Sequence, residues 1–294
     1  MDESEIDFGD YFPASRRDPS EMWNELRAFV AGIANPHLKG LLDALLDDED
    51  VARRYRRAPA AKQIHHAYLG GLVEHVLSLC ALARMVAPHY PNVDGDLLLA
   101  GVVLHDIGKI YELNYERGFS YSDDGQLLGH INIALRMVAD KLHGLPDFPP
   151  RLRTLVEHMI LSHHGQLEFG SPKLPQFPEA LLLHYLDDLD SKMECMRALL
   201  ENDRQLEGCF TTYNNALERP ALKKGRFLNG ASEPPRAPAA APPNGEPVEP
   251  GPPSAGSLPA APVAEHPLFA PPSDSPFADK LKQALHSAGP EQKS

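Results

Sequence analysis

The sequence predicts an all-α fold that ends in a disordered proline- and alanine-rich tail. Apolar residues recur at a period near 3.6 in successive runs between Trp23 and Asn202, and prolines fall at the ends of those runs. Beyond Ala231 the pattern stops, and that stretch holds 16 of the chain's 29 prolines, in pairs such as Pro234-Pro235 and Pro271-Pro272. Such a composition buries too little apolar surface to offset its chain entropy.

The elements follow in order. Ser20 stands as the N-cap of a first helix, with Trp23, Leu26, Phe29, Val30 and Ile33 on one face and Pro36 as its stop. A second helix is expected from about Leu38 to Tyr55, and a third from about Tyr68 to Ala87, stopped by Pro88. The fourth, from about Asp96 to His105, is almost wholly apolar and must be buried. A fifth is expected from Gly129 to His143 with Gly144 as a left-handed cap, and a sixth from Pro150, an N1 proline, to Gly165. A long seventh covers Glu179 to about Asn202. Only Phe119 to Leu127 hints at extended structure, a hairpin turning at Asp124-Gly125. Three regions result: an acidic flexible N-terminus over 1–19, a helical domain over 20–228, and the tail over 229–294. Within the tail, Phe277, Leu281 and Leu285 mark a short helix near 276–286 that could engage a protein partner.

Composition bounds the function. Of 294 residues, 43% are hydrophobic, enough for the core of one domain of roughly 200 residues. Three cysteines without C-x-x-C spacing suggest neither a disulfide framework nor a thiolate zinc site. The first residues are acidic where a signal peptide is basic, and the longest apolar run, Leu97 to Leu104, is too short to span a bilayer. A soluble cytoplasmic protein is expected, with its oligomeric state open. A net charge of −13 argues against bulk electrostatic coating of nucleic acid. Two local basic runs, Arg53, Arg54, Arg56 and Arg57 with Lys62, and Lys223, Lys224 and Arg226, could still hold a phosphate backbone.

The chemistry lies in polar residues set within apolar helices. His75, the His105-Asp106 pair, His130, the His163-His164 pair and Asp187 all occur in such surroundings. A buried carboxylate or imidazole is costly unless it is paired, hydrogen-bonded or bound to metal. Imidazole and carboxylate together are the donors that hold two divalent cations around a bridging carboxylate and a reactive water, so a two-metal hydrolase of phosphate esters is expected. His65, His66, His158 and His184 remain open as further site residues.

The motifs are Ile64-His65-His66-Ala67-Tyr68-Leu69-Gly70-Gly71-Leu72-Val73-Glu74-His75, Val103-Leu104-His105-Asp106-Ile107-Gly108-Lys109 and Leu128-Gly129-His130-Ile131. Downstream stand Leu161-Ser162-His163-His164-Gly165, then Ser171-Pro172-Lys173, and Leu183-His184-Tyr185-Leu186-Asp187-Asp188-Leu189-Asp190-Ser191-Lys192. From about Asn24 to Phe227 the chain resembles the HD-domain metal-dependent phosphohydrolases, and within them the YhaM-type 3'-5' exoribonuclease branch. The resemblance implies an HD-domain helical bundle in which His75, His105, Asp106 and Asp187 hold one cation. Asp106 then bridges to a second, held by His130, His163 and His164, and Lys109 neutralises a phosphate oxygen. Asp188 and Asp190 would only support their helix; the family pattern favours Asn at the first of them.

Manganese suits this mixed ligation, with iron or magnesium as alternatives. The substrate expected is short single-stranded RNA, trimmed from its 3' end to nucleoside 5'-monophosphates. His65, His66, Arg53, Arg54, Arg56, Arg57 and Lys173 are the candidate substrate-binding residues. An OB-fold would precede the HD domain in this branch, and the roughly 60 residues before His65 read as helix, too few for both. Two alternatives stand beside this reading: a phosphohydrolase of nucleotides or cyclic dinucleotides, and a non-enzymatic metal- or nucleotide-sensing scaffold.

Overall fold

Acidic or amide caps followed by proline set the N-terminal helices. The computed structural model of the chain describes residues 13–61, 66–115, 120–203 and 207–229. Helix α1 (Pro19–Ala31) is capped by Asp18, whose carboxylate accepts from the backbone N–H groups of Ser20 and Glu21. The cap is therefore Asp18, not Ser20, because Pro19 already occupies the first helical position. Asn35 caps α2 (Pro36–Leu46) in the same way.

The single helix expected over 38–55 is broken. Asp48 takes an extended conformation (φ −69°, ψ 119°) and caps α3 (Glu49–Arg57) by accepting from Asp50 and Val51 N–H. An aspartate that bonds local backbone competes with helix continuation, and here it wins. Upstream, residues 13–15 are not free: Ser15 N donates to Leu69 O at 2.9 Å and Leu69 N to Pro13 O at 2.9 Å, which corrects the expectation of a flexible segment up to residue 19.

The core is built on α4 (Gly71–Val86) and α5 (Gly95–Leu104). Every residue of α5 from Leu97 to Leu104 is buried, as its uninterrupted apolar run requires. Helices α1 and α3 pack on α4, and α2 packs on α5. By length and composition, the helical stretch Gly71–His89 could cross a membrane, with a mean hydropathy of 1.3 over its best window. Half of that window is buried inside the bundle, so its apolar character is that of a core helix.

After α5 the chain forms the short α6 (Lys109–Glu112) and an antiparallel pair, β1 (Leu113–Asn114) with β2 (Ser120–Tyr121), in which Leu113 faces Tyr121. The hairpin thus precedes the position expected for it. Asp124 and Gly125 belong instead to the first turn of α7 (Asp123–Leu142), where Ser122 Oγ accepts from Gly125 N. Helix α7 kinks at Gly129, whose φ of 71° and ψ of 158° are left to glycine. Gly144 does not take the left-handed conformation expected of it; the helix closes on His143 in right-handed geometry.

Helix α8 (Pro150–Ser162) starts on its N1 proline, and α9 (Pro178–Asn202) runs along both α5 and α4. A looped segment with bridges Phe210–Leu222 and Asn214–Arg219 leads to α10 (Lys224–Asn229). All described residues lie in one compact unit, Met1–Pro234. The tail beyond 229, the short helix expected near 276–286 and residues 1–12 lie outside the described residues.

Candidate metal centre

Six helices deliver the site, five of them its candidate ligands. His75 comes from α4, His105 caps α5, Asp106 follows it, and Lys109 opens α6. His130 follows the Gly129 kink in α7, His163 caps α8, and Asp187 lies in α9. Donor atoms of His75, His105 and Asp187 fall within 4.8 Å of one another, and those of His130, His163 and His164 do likewise. Asp106 stands between the two groups: its Oδ2 is 3.3 Å from His105 Nε2, and its Oδ1 is 3.4 Å from His130 Nε2 and 3.6 Å from His163 Nε2. One carboxylate oxygen faces each group. The seven residues singled out in the sequence as ligands converge at one place.

Backbone and acidic partners fix which imidazole nitrogen looks inward. His105 Nδ1 donates to Val102 O and His163 Nδ1 to Ile160 O, both at 2.8 Å; a carbonyl only accepts, so the lone pair of each ring sits on Nε2. His130 Nδ1 lies 3.1 Å from Glu112 Oε1, and His75 Nδ1 lies 2.8 Å from Asp190 Oδ2. Among the described residues, His105 Nε2, His130 Nε2, His163 Nε2 and Asp106 Oδ1 are buried without a hydrogen-bond partner. Each such orphan costs about 1–3 kcal/mol, and four meet here. A divalent cation offers them a common partner, and nitrogen with carboxylate oxygen is a donor set that transition metals accept. The residues therefore fit bound metal.

The charge states of Asp106, His163 and His164 agree with that use. Burial opposes ionisation of Asp106, but attraction to Lys109 and His105 outweighs it and holds the carboxyl well below its usual range. Burial and the neighbouring His105 push His163 well below the usual histidine range, keeping it neutral. His164 is lowered by burial and by His130. His75 moves the other way: burial disfavours its cation, yet hydrogen bonds to Asp187 and Asp190 outweigh that and bring it up to about 9. The contrast with His163 and His164 is physical, since His75 lies between the carboxylates of Asp187 and Asp190. Lys109 Nζ sits 2.6 Å from Asp106 Oδ2, and the attraction outweighs burial to raise the ammonium.

The candidate substrate residues divide. His66 is buried: Nδ1 is 2.8 Å from Tyr68 Oη and Nε2 is 3.2 Å from Asp190 Oδ2, beside His75. His65 lies outside the described residues. Arg53 pairs with Asp50, and Arg54 Nε binds the same carboxylate at 2.9 Å while its guanidinium lies 5.0 Å from the centre of the Tyr111 ring. Arg56 lies 5.5 Å from the centre of the Trp23 ring. Arg57 and Lys173 are exposed. Of the histidines left open, His184 donates from Nδ1 to His163 O at 2.9 Å, and His158 Nε2 accepts from Gln176 N at 3.2 Å. Asp188 pairs with Lys192 at the surface.

Two acidic residues of the centre escaped sequence reasoning as functional groups. Asp190 lies three residues beyond Asp187, a spacing that puts both on one helix face and could have revealed it. Glu112 takes both the N–H and the ring nitrogen of His130, across the hairpin, and no local spacing announces that pairing.

An all-helical bundle that gathers histidines and aspartates from five helices defines the HD-domain class, and residues 72–192 match the HD domain family. Over 226 residues the chain is 35% identical to the 3'-5' exoribonuclease YhaM of Bacillus subtilis (strain 168), covering 77% of this chain and 70% of that protein. The 3'-5' exoribonuclease YhaM of Bacillus velezensis is 36% identical over 222 residues, covering 76% of this chain and 69% of its own length. That of Bacillus licheniformis is 34% identical over 222 residues, with 74% and 70% covered. The chain belongs to the YhaM family of HD-domain proteins. No solved structure matches the chain.

Proposed function

We propose that this chain is a metal-dependent 3'-5' exoribonuclease that releases nucleoside 5'-monophosphates from short single-stranded RNA. The observation that carries the reading is Asp106, a buried carboxylate that turns one oxygen to the His105 side and the other to His130 and His163. Family membership gives the reaction class, and the relatives named as 3'-5' exoribonucleases give the polymer and its direction.

His75, His105, Asp106 and Asp187 would hold one divalent cation, and Asp106, His130, His163 and His164 would hold a second, with manganese favoured over iron or magnesium by the mixed donors. Two such cations supply an activated water and offset the charge that grows on the phosphoryl oxygens. The chain's own residues set the geometry. Val102 O, Ile160 O, Glu112 and Asp190 hold the rings with Nε2 inward, and Lys109 keeps Asp106 ionised. With its ammonium next to the bridging carboxylate, Lys109 also stands where a phosphate oxygen would gain a cation. No side-chain nucleophile is needed.

The test is product analysis with manganese on end-labelled RNA and DNA oligonucleotides, mononucleotides and cyclic dinucleotides. The expected outcome is stepwise shortening of RNA from its 3' end with 5'-monophosphates released. Resistant oligonucleotides beside rapid hydrolysis of a nucleotide or cyclic dinucleotide would overturn the polymer assignment.

Substrate grip is assigned to the arginines of α3. Arg53 and Arg54 share Asp50, so part of their charge is already compensated and the surface should bind weakly. Replacing Arg53, Arg54, Arg56 and Arg57 by Ala is expected to raise KM for an oligonucleotide several-fold and to leave cleavage of a minimal phosphodiester nearly unchanged. An unaltered KM would move the RNA path to another face.

A further inference from the structure

We infer that Asp190 is the positioning residue of the metal centre on its His75 side, acting with His66 and Ser78 as a partly buried shell that fixes the donor atom of His75. The inference rests on the metal-centre reading above and adds residues that do not themselves touch metal or substrate.

Asp190 collects three polar partners from two other parts of the chain. Its Oδ2 lies 2.8 Å from His75 Nδ1 and 3.2 Å from His66 Nε2, while Oδ1 accepts a hydrogen bond from Ser78 Oγ. Ser78 and His75 are one turn apart on α4, and Asp190 and Asp187 are one turn apart on α9. The two helices are thus tied at the level where His75 Nε2 meets Asp187 Oδ1 at 3.2 Å.

The direction of the bonds matters more than their number. A carboxylate against Nδ1 holds a proton there, so Nε2, the atom turned toward Asp187, is the nitrogen on which a cation would take the place of a proton. His66 is fixed in turn. Its Nε2 lies 3.2 Å from Asp190 Oδ2 and its Nδ1 2.8 Å from Tyr68 Oη, whose hydroxyl proton goes to Glu74 Oε2 at 3.1 Å, and its backbone is held at a φ of 46°, a cost that a non-glycine residue meets only where the surroundings impose it. His66, Ser78 and Asp190 line a cavity of about 550 Å³ that none of the seven candidate ligands touches. They stand behind the ring of His75, away from the centre.

The experiment is an equilibrium manganese(II) titration of the full-length metal-free protein, with thermal unfolding of the same samples. Asp190→Asn is expected to weaken manganese binding 10–100-fold. In a His75→Ala background the same change should have no further effect, because its influence passes through that ring. A residue that merely held the fold would weaken binding equally in both backgrounds, and that result would overturn the inference, as would wild-type affinity in Asp190→Asn. Ser78→Ala, which removes one partner of Asp190 and keeps the carboxylate, should show a smaller loss that also vanishes with His75. It serves if Asp190→Asn does not fold, and an undiminished loss with His75 absent overturns the inference there too. The underlying reading fails separately: Asp106→Ala with undiminished manganese removes the centre itself, whereas metal lost in Asp106→Ala but kept in Asp190→Asn removes only the shell.

Discussion

Asp106→Ala is expected to lower hydrolysis by at least about a thousandfold, equivalent to roughly 4 kcal/mol of transition-state stabilisation, and to strip metal from the protein. The two oxygens of Asp106 face different histidine groups, at 3.3 Å from His105 and 3.4 Å from His130. Its loss leaves two cations close together with less negative charge between them, and it leaves Lys109 as a buried ammonium without its partner. Metal analysis and turnover on end-labelled RNA check the prediction together. Full activity with unchanged metal would remove the bridging assignment. Lys109→Ala serves as the contrast: taking away a cation that competes for Asp106 does not weaken metal binding, so metal should stay while turnover falls. Equal turnover would reduce Lys109 to a counter-charge for Asp106.

What was legible in the sequence follows from what burial costs. A carboxylate at the end of the run Leu97–Leu104, or within Leu181–Leu189, needs a partner whatever the fold, so Asp106 and Asp187 could be read as site residues before any coordinates. The histidines joined them because they too stand in apolar surroundings, where buried polar groups need partners. Tertiary partnerships were not legible. Glu112 meets His130 only because the β1–β2 hairpin folds α6 back on α7, and His66 faces Asp190 across 124 residues of chain. The break between α2 and α3 was missed for a local reason: the apolar spacing continues through Asp47-Asp48, and only the cap formed by Asp48 reveals the interruption. Gly144 fits a left-handed stop by sequence, yet His143 already closes the helix on the Asp140 and Lys141 carbonyls.

Gly108→Ala is expected to reduce both stability and metal binding, for want of space rather than of conformational freedom. Its backbone is right-handed, with φ −64° and ψ −19°, which alanine tolerates. An added Cβ, however, would lie 2.0 Å from His130 O and 2.8 Å from Ala134 N. Both are backbone atoms of α7 and cannot swing aside, so α6 and α7 must separate. Overpacking of this kind costs about 1–3 kcal/mol, several degrees of Tm for a domain of this size. The displacement also falls on His130, whose N–H and Nδ1 are both held by Glu112, so the ring cannot keep its place while the helix moves. Gly40→Ala on α2 supplies the control: nothing lies within 4 Å of its Cβ position, and the change should stabilise the helix by about 0.5–1 kcal/mol with manganese affinity unaltered. Thermal unfolding and manganese titration of the two variants decide the matter. A Gly108→Ala protein that matched wild type in both would show that α6 and α7 do not meet as closely as His130 requires.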